Sequence, residues 1–157
     1  MKTAFETETC GRCGGSGNYS FNLMNGTRCF GCRGSGLKLT KRGVAARAFF
    51  TRLLEKPLSI VEPGHRVLTS VGLGPQRWHT VVSIGPSAIE FNGKADRLEL
   101  KIRRGGETHS IAGYGRDTIV QSVRDEAERL AAVERALAYQ ATLTKAGKPA
   151  KTKEIAA

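Results

Sequence analysis

Cys10-Gly-Arg-Cys13-Gly-Gly-Ser-Gly17 and Cys29-Phe-Gly-Cys32-Arg-Gly-Ser-Gly36 repeat one eight-residue pattern, and the two copies hold all four cysteines of the 157-residue chain. A Cys-x-x-Cys turn presents two thiolates from one stretch of backbone, so two such turns supply the four soft ligands of a tetrahedral zinc ion. Fifteen residues separate the two turns, a spacing in the zinc-ribbon range. The pattern predicts one structural zinc site with the ligands Cys10, Cys13, Cys29 and Cys32.

The segment between the two copies has the pattern of a β-hairpin. Apolar residues alternate from Tyr19 to the Asn25-Gly26 pair, and Asn-Gly favours a two-residue type I′ turn. Glycines at matching places in both copies allow the backbone to turn tightly after the second cysteine of each pair. We expect the hairpin to bring the two cysteine pairs together.

Disulfides and a redox pair are the alternatives for these cysteines. The first nine residues are short and polar, with Glu6 and Glu8, which is not the pattern of a secretory leader, so a cytoplasmic protein with reduced thiols is expected. A redox Cys-x-x-Cys would open a helix within a βαβ unit, and the sequence around the cysteines does not have that pattern. Both considerations favour the metal site.

The Cys-x-x-Cys-x-Gly-x-Gly pattern, twice over from Cys10 to Gly36, resembles the cysteine-rich zinc region of the DnaJ (Hsp40) co-chaperone family. That family has four copies and two zinc centres, whereas this chain has two copies and ligands for one. The resemblance implies zinc-ligand roles for the four cysteines and turn roles for the matching glycines. The His-Pro-Asp signature of the family's J-domain is absent from the sequence, so Hsp70 stimulation is not implied. Half-length versions are similar to motifs in small phage and mobile-element proteins.

The charge of the chain points to a polyanionic partner. It has 25 basic and 14 acidic residues and a net charge of +11, a balance typical of proteins that bind RNA or DNA. Arginines around the cysteines and a dense basic stretch after them are the candidate contacts, together with one aromatic residue that could stack on bases. The candidates are Arg12, Tyr19, Arg28, Arg33, Lys38, Lys41, Arg42, Arg47 and Arg52.

Two other aromatic residues near the cysteines, Phe21 and Phe30, leave two interpretations open. They could stack on exposed bases beside the arginines, or they could pack beneath the metal site, because a small zinc module has few other residues to bury.

The basic stretch is predicted to be a helix. Thr40 can cap its start, the alanines that follow favour helix, and Pro57 ends it. The predicted organisation is a zinc module over residues 1–37 and a basic helix or linker over 38–56.

Short apolar runs broken by glycine and proline then predict a small antiparallel β-barrel of the SH3-like type over residues 57–120. Its predicted strands are 66–71, 78–84, 88–91, 98–102 and 108–111. Trp78 is expected in the core or at the rim of this barrel. His65, His79 and His109 have no metal-ligand spacing, so no chemistry is assigned to them.

Apolar residues at helical spacing predict a final helix over residues 121–143, on a segment whose periodicity begins near Thr118. Residues 144–157, rich in lysine with Gly and Pro, are predicted to be a flexible basic tail. The predicted fold class is therefore α+β: a zinc-ribbon-like hairpin module, a linker helix, a barrel and a C-terminal helix.

No catalytic motif is recognisable in the sequence. A four-cysteine shell also leaves zinc no open position for water, which favours a structural ion over a catalytic one. The sequence favours a non-enzymatic zinc protein that binds RNA or single-stranded DNA. The alternatives are a DnaJ-like adaptor that binds extended polypeptides, a phage regulator that binds a host protein complex and, less favoured, an enzyme.

Overall fold

A computed structural model describes residues 5–19, 27–71, 74–88 and 97–149. The structure is of the mixed α+β class that the sequence predicts, with two helices and two antiparallel sheets. It divides into two compact units: Met1–Phe50 with Val133–Ala157, and Thr51–Ala132. We refer to them as the cysteine unit and the sheet unit.

The cysteine unit contains a two-stranded sheet, residues 41–50 of the first helix and residues 133–142 of the second helix. Strand β1 (Thr7–Thr9) pairs antiparallel with β2 (Leu37–Leu39), so the two strands bracket the cysteine repeats. Helix α1 (Lys41–Leu54) follows β2 directly. As predicted, the Thr40 hydroxyl caps the helix by accepting a 3.0 Å hydrogen bond from the N–H of Gly43.

A small apolar core holds this unit together. Phe5, Ala46 and Ala136 are buried in it, and Phe50 packs against Phe5 with the ring centroids 5.9 Å apart. Phe49 of α1 stacks on Tyr139 at 4.5 Å. The apolar residues of α1 recur at helical spacing, so one side of the helix faces this core and the other faces solvent.

The sheet unit is built on six antiparallel strands. In chain order they are β3 (Glu55–Pro57), β4 (Arg66–Thr69), β5 (Arg77–Pro86), β6 (Leu98–Arg104), β7 (Glu107–Tyr114) and β8 (Ile119–Val123), with a 3₁₀ turn at Leu58–Ile60. Their order across the sheet is β3-β8-β4-β5-β6-β7. Its buried core consists of Leu58, Val61, Val67, Val81, Leu100 and Ile102.

The closed barrel that the sequence predicts is not confirmed. The six described strands form an open sheet with β3 and β7 at its two edges. Closure would need β7 to pair with β3, and β3 has only three residues, of which Pro57 has no N–H to donate. Four predicted strands agree with β4 to β7. The predicted strand 88–91 lies, apart from Ala88, outside the described residues.

The C-terminal helix begins later than predicted. Residues 119–123 are strand β8, which pairs with β3 and β4, and helix α2 spans Glu126–Thr142. Asp125 caps α2 by accepting a 2.8 Å hydrogen bond from the N–H of Glu128. The helical periodicity starts too early because Val123, which is buried in the sheet unit, is at helical spacing from Ala127 and Leu130; these two residues are exposed, and the buried residues of α2 are Ala132 and Ala136.

The start of the predicted flexible tail is ordered. Leu143 and Pro149 form an isolated antiparallel bridge, and Thr144 donates from its N–H to the carbonyl of Lys148 at 2.8 Å. Residues 143–149 are therefore a hydrogen-bonded turn. The rest of the tail, residues 150–157, lies outside the described residues. No helix in the described part of the chain is long and apolar enough to cross a membrane.

Candidate metal centre

The four cysteines converge as the repeat pattern predicts. All four Sγ atoms lie within 4.8 Å of one another. The Sγ atoms of Cys10 and Cys29 are 4.0 Å apart, and those of Cys13 and Cys32 are 3.7 Å apart. These distances are far longer than the ~2.05 Å of a disulfide bond. They match the roughly 3.8 Å that separates two sulfurs bound at about 2.3 Å to one tetrahedral ion. The four thiols are free and could hold one metal ion.

The two repeats hold each other in place through reciprocal backbone hydrogen bonds. The N–H of Cys10 donates to the carbonyl of Gly36 at 2.8 Å, and the N–H of Cys29 donates to the carbonyl of Gly17 at 2.8 Å. The first cysteine of each repeat is thus tied to the last glycine of the other. This exchange explains why the pattern extends beyond the cysteines to the final glycine.

The matching serines close the turn after each second cysteine. The Ser16 hydroxyl donates to the carbonyl of Cys13 at 2.8 Å, and the Ser35 hydroxyl donates to that of Cys32 at 2.7 Å. Each hydroxyl also accepts from a backbone N–H two residues later, that of Asn18 or Leu37. The serine of each repeat is therefore a backbone brace: its hydroxyl adds to the hydrogen bond that its own N–H already donates to the cysteine carbonyl, and it also accepts from the N–H two residues later.

Two glycines are required by space as well as by conformation. A Cβ added to Gly17 would lie 2.4 Å from the carbonyl oxygen of Gly34, and one added to Gly36 would lie 2.2 Å from that of Gly15. Their φ angles are +76° and +75°, in the region that favours glycine. Each repeat places its last glycine against the backbone of the other repeat, where no larger residue fits.

The surroundings of the thiols affect their ionisation unequally. Burial raises the pKa of the Cys29 thiol. Burial acts in the same direction at Cys32, but the N–H groups of Gly36 and Gly34 and the thiol of Cys13 outweigh it and lower the pKa of Cys32 to about 6. The Gly36 N–H lies 3.3 Å from Cys32 Sγ. At Cys13, the N–H groups of Gly17 and Gly15 outweigh burial and lower the thiol pKa. Thiolates are the form that binds metal, so these N–H groups favour ligation.

The predicted hairpin can be followed at its base. Asn18 and Arg28 form an isolated antiparallel bridge, and the N–H of Tyr19 donates to the carbonyl of Thr27 at 2.6 Å. The two stretches of chain that flank residues 20–26 therefore run antiparallel beside each other. The Asn25-Gly26 turn and Phe21, which belong to the same prediction, lie outside the described residues.

Arg12 and Lys38 meet at the second cysteine turn. A Cβ added to Gly31 would lie 3.2 Å from Lys38 Cε and 3.5 Å from Arg12 Cδ, so both side chains pass over this glycine. Glu8 faces Lys38 across the β1–β2 ladder. Among the described residues, however, neither Arg12 nor Lys38 forms an ion pair with a carboxylate.

Tyr19 is a support for Arg12 as well as a neighbour of the cysteines. The Arg12 guanidinium carbon lies 4.6 Å above the centre of the Tyr19 ring, a cation–π geometry. Tyr19 is half-buried and packs against the cysteine cluster. Its predicted role as a base-stacking residue is therefore less favoured than a role in holding Arg12.

Three more side chains surround the same turn. Phe30 is 56% exposed, which decides between the two interpretations left open for it: it does not pack beneath the metal site. The side chain of Arg28 crosses Gly34 and donates from Nε to the carbonyl of Arg33 at 2.6 Å. Arg28, Cys29, Phe30 and Arg33 line a surface recess of about 350 Å³. We call Arg12, Arg28, Phe30, Arg33 and Lys38 together the knuckle surface.

The cations of α1 divide into three groups. Lys41 and Arg47 are exposed in the cysteine unit. Arg42, also predicted to contact nucleic acid, is instead half-buried: its guanidinium lies 3.3 Å from the Glu6 carboxylate and donates to the carbonyl of Gln140. This structural role makes Arg42 a weaker candidate for a contact with nucleic acid. Arg52 is exposed but belongs to the sheet unit.

The predictions from the sequence did not include the difference between the two repeats in their non-cysteine residues. Arg33 has a φ of +53°, the conformation that Gly14 adopts at the matching place of the first repeat with a φ of +58°. Among the described residues it is the one non-glycine residue with a positive φ. Aligning the repeats pairs Arg33 with Gly14 and Phe30 with Gly11, so this signal was present in the sequence.

The histidines and the tryptophan of the sheet unit stay structural. His79 is buried, and desolvation is the largest influence on it and lowers its pKa. Trp78 is half-buried on β5. His65 is buried and its Nδ1 accepts a hydrogen bond from the N–H of Glu62. Nothing in their arrangement resembles a metal or catalytic site.

Comparison with known proteins gives no assignment: no protein-family model, no curated protein and no solved structure matches the chain.

Proposed function

We propose that this chain is a non-enzymatic protein in which one structural zinc ion organises a surface that binds single-stranded nucleic acid, RNA or DNA. The observation that supports this most strongly is the knuckle surface. Four cations and one exposed aromatic side chain surround a cysteine turn, and the two cations that pass over Gly31 have no carboxylate partner among the described residues.

Zinc is the metal that the site favours. The ligands are four thiolates at distances that fit a tetrahedral shell, which is the usual composition of a structural zinc site. With four protein ligands the ion has no position for a water molecule, so it has a structural role and supplies no chemistry. We expect one zinc ion per chain by elemental analysis, and none in a variant with Cys10 and Cys29 replaced by serine.

The proposed binding mode follows from the chemistry of the side chains. Arg12, Lys38, Lys41 and Arg47 neutralise phosphates and release their counterions, which makes the affinity depend on salt. Phe30 offers a flat apolar face on which an unpaired base can stack. Bases in a duplex already stack on each other, so the exposed aromatic residue favours a single strand.

The test is fluorescence anisotropy of the zinc-loaded protein with labelled single-stranded RNA, single-stranded DNA and duplex DNA at several salt concentrations. We expect submicromolar binding of a single strand at low salt and a steep loss of affinity as salt rises. In the variant Lys38→Ala, Lys41→Ala, Arg47→Ala, the slope of log affinity against log salt should become smaller by about 2, since each single-strand phosphate contact contributes roughly 0.7.

A matched control removes three exposed positive charges from the sheet unit: Arg77→Ala, Arg103→Ala, Arg104→Ala. This variant should keep most of the affinity and the slope. If both triple variants lose affinity equally, the binding reflects net charge and not the cysteine unit. If none of the three probes binds at low salt, the proposed function is wrong.

A second candidate function is recognition of an extended polypeptide, which the resemblance to the DnaJ-type region implies. The exposed apolar side chains Phe30 and Leu37, 56% and 51% exposed, favour it. An apolar peptide contact would not weaken with salt. Binding of an unfolded protein that persists at high salt, together with no binding of the nucleic-acid probes, would support this candidate instead.

A further inference from the structure

The two cysteine turns share one backbone design but carry different side chains. Residues nineteen positions apart match: the reciprocal hydrogen bonds of Cys10 and Cys29, the serine braces and the last glycines all repeat. At three exposed places the match fails: the first turn has Gly11, Arg12 and Gly14, whereas the second has Phe30, Gly31 and Arg33. Phe30 and Arg33 are not needed to build the turn, since the first turn is built with glycine at both places.

Arg33 is the more informative difference. Its φ of +53° is a conformation that places the Cβ of an L-residue too close to the following carbonyl, and glycine avoids this strain. Gly14 shows that glycine fits the matching place. An arginine held in this conformation brings a strain that the fold does not require. Such strain at an exposed position is typical of a residue that binds something.

Phe30 and Arg33 face one recess. Together with Arg28 and Cys29 they line the cavity of about 350 Å³ beside the metal centre. Its volume is within the roughly 300–1,000 Å³ of small-molecule pockets. The backbone around it is fixed by the metal turn, and Arg28 is fixed by its hydrogen bond to the Arg33 carbonyl. The recess is therefore preformed, with an aromatic wall and two arginines, and the described residues of its lining include no carboxylate or amide side chain.

We propose that this recess binds one unpaired guanine base of a single-stranded nucleic acid, with the base stacked on Phe30 and its O6 and N7 accepting hydrogen bonds from Arg33. This proposal deepens the proposed function and depends on it. Guanine is the base that fits, because it presents two acceptors on one edge to the paired donors of an arginine. Adenine presents one donor and one acceptor there, which suits the side chain of Asn or Gln, and neither is among the described residues that line the recess.

The test compares two short RNA probes, a uridine tract and the same tract with one central guanosine, on the zinc-loaded full chain. The wild-type protein should bind the guanosine probe about 5- to 150-fold more tightly, since one good bidentate contact discriminates by about 1–3 kcal/mol. A third probe with adenosine in place of guanosine should bind like the uridine tract.

Two variants identify the residues responsible. Phe30→Ala should weaken binding of the guanosine probe by about 5- to 150-fold, the range for loss of one base stack. Arg33→Gly should remove the preference for guanosine and leave a residual affinity like that for the uridine tract. This substitution gives position 33 the residue that the first turn has at the matching position, Gly14. Zinc binding and thermal stability should therefore be unchanged or higher. Arg135→Ala, which removes one exposed charge from α2, should keep the preference.

The outcomes separate the two proposals. If the wild-type protein binds all three RNA probes with equal affinity, or if Arg33→Gly keeps the guanosine preference, the recess proposal is wrong while the proposed function stands. If the protein binds no RNA probe and no DNA probe at low salt, both are wrong. Tight binding of an acidic or aromatic peptide in the recess, blocked by Phe30→Ala, would assign the recess to a protein partner and overturn the guanine proposal.

Discussion

Gly17 and Gly36 are the residues on which the metal centre depends most after the cysteines. Each combines a positive φ with a Cβ position that overlaps a carbonyl oxygen of the other repeat. The contact is backbone against backbone, so no side-chain movement can relieve it. The glycines of the repeat are therefore part of the metal site, although they do not touch the metal.

We expect Gly17→Ala to destabilise the cysteine unit by at least about 1–3 kcal/mol and to weaken metal binding accordingly, since left-handed strain and the overlap add. Competition with a coloured chelator measures the metal affinity. Gly11→Ala is the matched control within the same repeat: Gly11 has no atom within 4 Å of an added Cβ and no positive φ. Equal metal affinity of the two variants would contradict this account of the repeat.

At the same scale, the sequence predicted the convergence of the four cysteines well and their surroundings less well. The spacing of Cys10, Cys13, Cys29 and Cys32 is enough to predict one site, because the geometry of a four-thiolate shell leaves few alternatives. The roles of Tyr19 and Arg42 could not be predicted, because they depend on which side chain lies above the Tyr19 ring and on a contact between Arg42 and the distant residues Glu6 and Gln140.

At the scale of elements, the ion pairs at the start of α2 join three elements of the sheet unit. Glu128 accepts a hydrogen bond from Lys56 of β3 at 2.7 Å and another from the N–H of Arg124. Burial opposes its ionisation, but these two donors outweigh burial and lower the pKa of Glu128. Hydrogen bonding to Arg129 likewise lowers the pKa of Glu126, and Arg66 lies 3.6 Å away.

These shifts predict a loss of stability in acid. A carboxyl whose pKa is lower in the folded chain stabilises the fold above its unfolded pKa, about 4.3 for Glu, and this contribution is lost as the pH falls through the folded value. The difference in unfolding free energy between wild type and Glu128→Gln should therefore be largest at neutral pH and should narrow below about pH 4. Urea unfolding followed by Trp78 fluorescence, a probe within the sheet unit, measures it.

Glu134→Gln is the control for this pH series. Glu134 is exposed on the same helix and forms no ion pair within the described segments, so its replacement should change stability little at any of these pH values. A Glu128→Gln difference that stays constant from neutral pH to pH 3 would show that the carboxylate does not stabilise the sheet unit.

The elements themselves were predictable where a local signal sets them. Thr40 marks the start of α1 and Gly105-Gly106 the turn between β6 and β7, as the structure confirms. The predicted end of the helix at Pro57 is wrong, because α1 ends at Leu54 and Pro57 lies in β3. Strand β8 was predicted as helix because its pairing with β3 and β4 is a long-range contact that periodicity does not record. The closed barrel was predicted in place of an open sheet for the same reason, because closure depends on whether the edge strands β3 and β7, distant in the sequence, pair with each other.

At the scale of the whole molecule, the two units obtain their stability from different sources. Among the described residues, the buried apolar side chains of the cysteine unit besides the cysteines are Phe5, Ala46, Ala136 and Leu143. The sheet unit buries a larger set that includes Leu58, Val67, Leu100 and Ile102, each contributing roughly 1.5–3 kcal/mol on burial. A small module with few buried residues depends on its metal, whereas a sheet with a larger core does not.

The most direct test of the central claim, that zinc organises the nucleic-acid-binding surface, is the affinity for a guanosine-containing single-stranded RNA before chelation, after chelation and after zinc is restored. Trp78 fluorescence is recorded on the same samples. We predict that chelation abolishes tight binding at low salt, that zinc restores it, and that Trp78 emission is unchanged throughout, because the sheet unit keeps its fold. Full affinity in the chelated protein would contradict the account, since the knuckle surface could then not depend on the metal.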